Sequence, residues 1–182
     1  VYELEVTDLE EDVQRGGLTI QKLDSETGTT PQGDADFSGI TFEIINNSRN
    51  PVMVEGQKYQ TGEVVKTLVT DSEGKASTSD DLLPYGEYIL HESATNESML
   101  NTVPDQTVLI EDDGVIYEFT CPNEVVRGDV LIEKRDLESG LLTPLGGASL
   151  DGTLFEITNK SKNAVYVNGA LYAPGEVCAT IE

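Results

Sequence analysis

Polar and apolar positions alternate over short stretches of this chain, and no segment keeps the 3.6-residue spacing of an amphipathic helix. VYELEV (1–6), LTIQKL (18–23), ITFEII (40–45), EYILHE (87–92), TVLIE (107–111), VIYEFT (115–120) and VLIEK (130–134) alternate or run apolar. Such runs are the mark of half-buried or buried strands. Between them lie DSETG, NNSRNP, DSEG and EDDG, rich in residues that tolerate the backbone angles of tight turns. Strands at short intervals with turn chemistry between them predict an all-β, antiparallel sandwich and argue against a βαβ fold.

The chain also repeats itself. Residues 39–69 align without a gap to 152–182, and 15 of those 31 positions are identical, among them Phe42, Glu43, Ile44, Asn46, Gly56 and Tyr59. Upstream, LTIQKLD (18–24) matches VLIEKRD (130–136), so the period is about 112 residues. YELEVTD (2–8) resembles IYEFTCPN (116–123), and each leads through Arg-Gly into the next Lys-bearing strand. The expected organisation is therefore a closing strand and linker of a preceding repeat (1–14), one complete sandwich (15–126), and the opening part of the next repeat (127–182).

Alternation also sorts side chains onto faces. Leu18, Ile20 and Lys22 share one face of the first strand. Tyr88, Leu90 and Glu92 share a face of EYILHE, and Tyr117, Phe119, Cys121 and Asn123 share a face of the last strand. In each case a polar group follows apolar residues on the face that should be buried. Burial drives an ammonium and a carboxylate toward their neutral forms. A neutral Lys22 amine is a nucleophile, an Asn123 carboxamide offers an electrophilic carbon, and a protonated Glu92 can shuttle protons between them. The alternative is purely structural: Lys22 snorkels to solvent, Glu92 pairs with it, and Asn123 caps a turn.

The order LTIQKLD, then YGEYILHE, then a terminal strand ending in Asn before Arg-Gly and VLIEKRD, resembles the CnaB/SpaA family of Gram-positive pilins and adhesins. The resemblance covers nearly the whole chain and implies an Ig-like (CnaB-type) sandwich in tandem repeats. It implies an isopeptide bond between Lys22 and Asn123, with Glu92 as the assisting acid–base residue. Lys134 and Asp8 then stand as incomplete cross-link sites of the following and preceding repeats. The loop after Glu92, Ala94-Thr95-Asn96-Glu97-Ser98, departs from the family's usual Ala-Pro-x-Gly-Tyr without removing a reacting group. The implied role is a non-enzymatic stalk or spacer on the wall-anchored surface of a Gram-positive bacterium, packed against neighbouring repeats. The alternative is an adhesin module whose loops hold a host protein or glycan.

Charge and composition narrow the partners. The 182 residues carry 34 acids against 11 bases, a net of −23, which repels nucleic acid and anionic lipid. No apolar run reaches the roughly 18 residues of a membrane span. The acidic turns at 71–74 and 111–114 lack the alternating-Asp calcium loop, and no cofactor or metal motif is found. Cys121 and Cys178 fall in different repeats, which predicts two buried thiols and no disulfide framework. His91 is the sole histidine, on the solvent-facing side of its strand, and no Ser-His-Asp order exists for a hydrolase. Arg127-Gly128-Asp129 has the form of an integrin motif, yet Arg-Gly recurs at the same linker position as Arg15-Gly16.

Overall fold

The computed structural model describes residues 11–182, so the strand expected at 1–6 and the side chain of Asp8 lie outside the described residues. The described residues contain no helix. In chain order the strands are β1 (Arg15–Asp24), β2 (Thr41–Asn46), β3 (Val52–Val54), β4 (Gln57–Tyr59), β5 (Val64–Val69), β6 (Lys75–Ser77), β7 (Leu83–Pro84) and β8 (Gly86–Ala94). They continue as β9 (Met99–Leu100), β10 (Gln106–Ile110), β11 (Ile116–Val125), β12 (Phe155–Thr158), β13 (Val165–Val167), β14 (Ala170–Tyr172) and β15 (Val177–Ile181). One sheet has the order β6-β1-β11-β9, with β7 also on β1; the other has the order β10-β8-β2-β5.

Contacts divide the chain into two compact units. The first comprises the described residues up to Lys22, Ser38–Thr95 and Val103–Cys121; the second comprises Leu23–Phe37, Asn96–Thr102 and Pro122–Glu182. The first unit holds the main core, in which Leu18 and Ile20 of β1 are buried along with Phe42, Ile44, Tyr88, Leu90, Val108 and Ile110 of the second sheet. Antiparallel pairing sets Phe42 opposite Glu92 and Ile44 opposite Leu90, so apolar side chains stack in layers on one face. Tyr88 is fully buried and donates its hydroxyl to Pro84 O at 2.8 Å, which satisfies the one polar atom that its ring carries inward.

β1 and β11 run parallel, whereas β1 pairs antiparallel with β6 and β7, as do β2 with β5 and β8, β8 with β10, β9 with β11, and the pairs β3–β4, β12–β15 and β13–β14. Gly17 N donates to Val115 O and Ser25 N to Asn123 O, and 115 − 17 equals 123 − 25, a constant difference of 98. An antiparallel pair would keep the sum constant instead.

The sequence repeat is also a repeat of hydrogen bonds. In the first unit, buried Asn46 donates through Nδ2 to Asn50 O and Tyr59 O, and its Oδ1 accepts from Ser48 N. In the second unit, Asn159 donates to Asn163 O and Tyr172 O and accepts from Ser161 N. The hairpins β3–β4 and β13–β14 turn on Glu55-Gly56 (φ 47 and 79) and Asn168-Gly169 (φ 48 and 85). Two successive positive φ values are what a two-residue hairpin with right-twisted strands requires.

One expected strand is absent. VLIEK (130–134) is irregular, and Val130 and Leu131 are 62% and 88% exposed. Among the described residues no strand pairs with 130–134, so its N–H and C=O groups have no ladder to join there. Cys178 also differs from expectation: it is half-buried, with Sγ 3.2 Å from Ile157 O, whereas Cys121 is fully buried.

The buried Asn46 knot predicts a measurable loss. Asn46→Ala strands two carbonyls and one amide and lowers stability by about 2 kcal/mol. Urea unfolding should show a lower midpoint at unchanged slope; an unchanged midpoint would remove the knot from the account.

Candidate functional site

Local structure aims a cation and an anion at each other across the interior of the first unit. β1 delivers Lys22 on the same face as Leu18 and Ile20, and all three are 0% exposed. β8, in the opposite sheet, delivers Glu92 on the face of Tyr88 and Leu90. Lys22 Nζ lies 2.8 Å from Glu92 Oε2, with both side chains closed to solvent. The ammonium also sits 5.4 Å from the centre of the Phe42 ring, whose backbone is in register with Glu92. Burial pulls the Lys22 amine below the usual lysine range, and the hydrogen bond and charge of Glu92 pull the other way.

The last strand adds two more inward groups. Cys121 is fully buried; burial raises its thiol above the ordinary range, while the charge of Lys22 opposes this. Its sulfur accepts from Gln106 Nε2 at 3.4 Å. Asn123 follows two positions later on the same face, is 0% exposed, and accepts at its backbone oxygen from Ser25, three residues beyond Lys22.

The remaining candidates sit elsewhere. Lys134 is exposed and donates to Thr153 Oγ1. His91 faces solvent, 2.6 Å from Asp105 Oδ1. Arg127 of the Arg-Gly-Asp triplet is engaged within the second unit: it donates to the Glu26 carboxylate and, at 2.9 Å, to Tyr166 O. A guanidinium already paired in this way is a poor anchor for a partner. Among the described residues no group of three or more His, Cys, Asp or Glu is arranged to hold a metal. In the acidic turn at 71–74, Asp71 Oδ1 accepts from the backbone of Glu73 and Lys75.

Sequence reasoning missed Phe42 and Gln106 as neighbours of these groups. Phe42 carried a signal, since it recurs as Phe155 in the second repeat. Gln106 carried none, because its partner depends on the sheet pairing of β10.

Comparison with known proteins bears on the same region. The model of the SpaA prealbumin-like fold domain matches residues 16–125. No curated protein matches. Among solved structures, the minor pilin of Streptococcus agalactiae is 25% identical with a TM-score of 0.46, over 67% of this chain and 49% of that one. A streptococcal ancillary pilin is 22% identical with a TM-score of 0.45, over 95% of this chain and 51% of that one. The major pilin subunit of Bacillus cereus is 23% identical with a TM-score of 0.43, over 61% of this chain and 30% of that one. The chain therefore spans about half, or less, of the length of these pilins. Because the family model spans most of the chain and coincides with the β1–β11 sandwich, this protein belongs to the SpaA family of prealbumin-like domains.

Proposed function

We propose that the domain is a non-catalytic, load-bearing stalk module of a Gram-positive cell surface, closed by a self-formed amide between Lys22 and Asn123. The observation that carries the reading is the Lys22–Glu92 contact of 2.8 Å, sealed from water between two sheets. Such a pair is a weak source of stability, because desolvating both charges costs about as much as their attraction returns. Its use is chemical. The Lys22 ammonium passes a proton to Glu92, and the resulting neutral amine attacks Cγ of Asn123. Glu92, now a carboxylic acid, hydrogen-bonds the carboxamide oxygen and relays protons to the departing nitrogen. The C–N bond to Lys22 forms, the Cγ–Nδ2 bond breaks, and one ammonia leaves. Each molecule reacts once.

The amide would close a loop of about 100 residues, which the chain-entropy model values at roughly 4–5 kcal/mol. Redox conditions would not break it. Extracellular display on the cell wall, with neighbouring repeats as the immediate partners, belongs to the same proposal.

Intact mass under denaturing, reducing conditions tests the bond. The chain should weigh one ammonia less than its sequence, with a Lys22–Asn123 branched peptide after digestion. Glu92→Ala and Lys22→Ala should restore the full mass. A wild-type chain at full sequence mass would refute the cross-link and leave a plain structural triad.

The lowered Lys22 pKa gives a second test in Asn123→Ala, where no bond can form. Between the folded pKa and the ordinary value of 10.5, the unfolded chain holds more protons at this lysine than the folded one, so stability rises with pH. The raised Cys121 thiol acts in the opposite sense above its ordinary 9.0. The informative quantity is thus the difference between Asn123→Ala and Asn123→Ala/Lys22→Met. Urea midpoints should show the rise toward alkaline pH only where Lys22 is present; parallel profiles would mean an unperturbed amine.

A further inference from the structure

Inside the second unit, the loop that follows β1 is hydrogen-bonded to the second copy of the repeated segment. Gly33 N donates to Ala164 O at 3.2 Å, and Asn163 N donates to Gly33 O at 3.0 Å. A Cβ on Gly33 would lie within 4 Å of Ser161 and Val165, so loop and segment are in close approach. Backbone pairing alone carries little information about which loop meets which segment, because every residue but proline offers the same N–H and C=O.

Side chains add what the backbone lacks. Gln32 is 5% exposed and uses both halves of its carboxamide. Its Nε2 donates to Asp24 Oδ1 and Oδ2 at 3.1 and 3.2 Å and to Glu26 Oε2 at 2.6 Å. Its Oε1 accepts from Tyr166 N at 2.7 Å and from Arg127 Nη2 at 3.4 Å. Asp24 is fully buried, so position 32 must donate to carboxylates on one side and accept from N–H groups on the other. A carboxamide does both, with two N–H donors beside an acceptor oxygen. Asp34 adds a second contact, accepting at Oδ1 from Lys162 N at 3.0 Å. Arg127, two residues beyond β11, joins Tyr166 O to the carboxylate of Glu26, two residues beyond β1.

The internal repeat shows which of these contacts are particular to this loop. Asp24, Pro31 and Gly33 recur as Asp136, Pro144 and Gly146, but Leu145 stands in the place of Gln32 and Gly147 in the place of Asp34. The frame is kept: Gly33 and Gly146 have φ 62 and 61, and Asp136 accepts from Glu138 N, Ser139 N and Leu145 N. The two loop side chains bonded to Lys162 and Tyr166 are thus ones that the repeat does not preserve.

We propose that Gln32 and Asp34 commit the 24–36 loop to the following repeat of the same chain, turning a backbone approach common to such loops into a closed joint. Leu and Gly at these two positions leave the Asp24 carboxylate short of a donor and the amides of Lys162 and Tyr166 without acceptors. The joint stands apart from the Lys22 amide, since none of its side chains takes part in that reaction.

Amide hydrogen exchange of the 182-residue chain, read residue by residue by NMR, tests this. The amides of Gly33, Lys162, Asn163 and Tyr166 should be protected in the wild type. Gln32→Leu combined with Asp34→Gly should cut their protection by roughly tenfold or more, as expected when hydrogen bonds to charged and buried groups are lost. The amides of Gly17 and Thr78, bonded inside the sandwich, should keep theirs. Asp34→Ala changes only an exposed side chain and should lower protection at Lys162; it decides the matter if Gln32→Leu unfolds the sandwich. Wild-type amides that exchange at free-peptide rates would overturn the proposal. Full protection in the double variant, or at Lys162 in Asp34→Ala, would overturn it equally and leave the joint to the backbone alone.

Discussion

An ammonium and a carboxylate 2.8 Å apart, both shut away from water, form the constraint around which this domain is organised. Neither charge tolerates the interior alone, since removing one partner of a buried pair strands the other at a cost of about 3–5 kcal/mol. The two sheets must therefore meet in the register that brings β1 to β8. The apolar layers above the pair, Leu18 and Ile20 against Tyr88 and Leu90, exclude the solvent that would otherwise relax it. The ring of Phe42 covers the ammonium from a third side. Conditions that hold the pair dry also favour a neutral amine, which connects the packing of this core to the proposed chemistry.

The parallel course of β1 and β11 gives that chemistry a mechanical meaning. The chain enters the sandwich at the start of β1 and leaves at the end of β11, so tension applied to its ends loads the two strands in shear. A bond from Lys22 to Asn123 would carry the load from near the end of one strand to near the end of its neighbour. The 100 residues between them, 23–122, would then lie off the force path.

Much of this was legible in the sequence, for identifiable reasons. A period of two assigned Lys22, Glu92 and Asn123 to inward faces, and all three are buried. Fifteen identities at one offset announced the repeat, and the hydrogen bonds of Asn46 and Asn159 recur with it. What stayed hidden depends on pairing more than pattern. VLIEK alternates as well as LTIQK but has no neighbouring strand among the described residues, and periodicity reports a capacity to pair and not a partner. Strands of two or three residues, such as β7 and β9, are too short to show any period. The parallel β1–β11 pair rests on backbone groups, which sequence does not distinguish. Gln106 reaches Cys121 for a similar reason, through sheet order alone.

Force–extension of a single molecule tethered through its two ends tests the central claim most directly. A domain locked between Lys22 and Asn123 should yield no lengthening from residues 23–122, even at forces that unfold ordinary β-sandwiches, whereas Glu92→Ala should release a step on the order of 340 Å. A wild-type molecule that releases the same step would contradict the account, and would reduce Lys22, Glu92 and Asn123 to a hydrogen-bonded core.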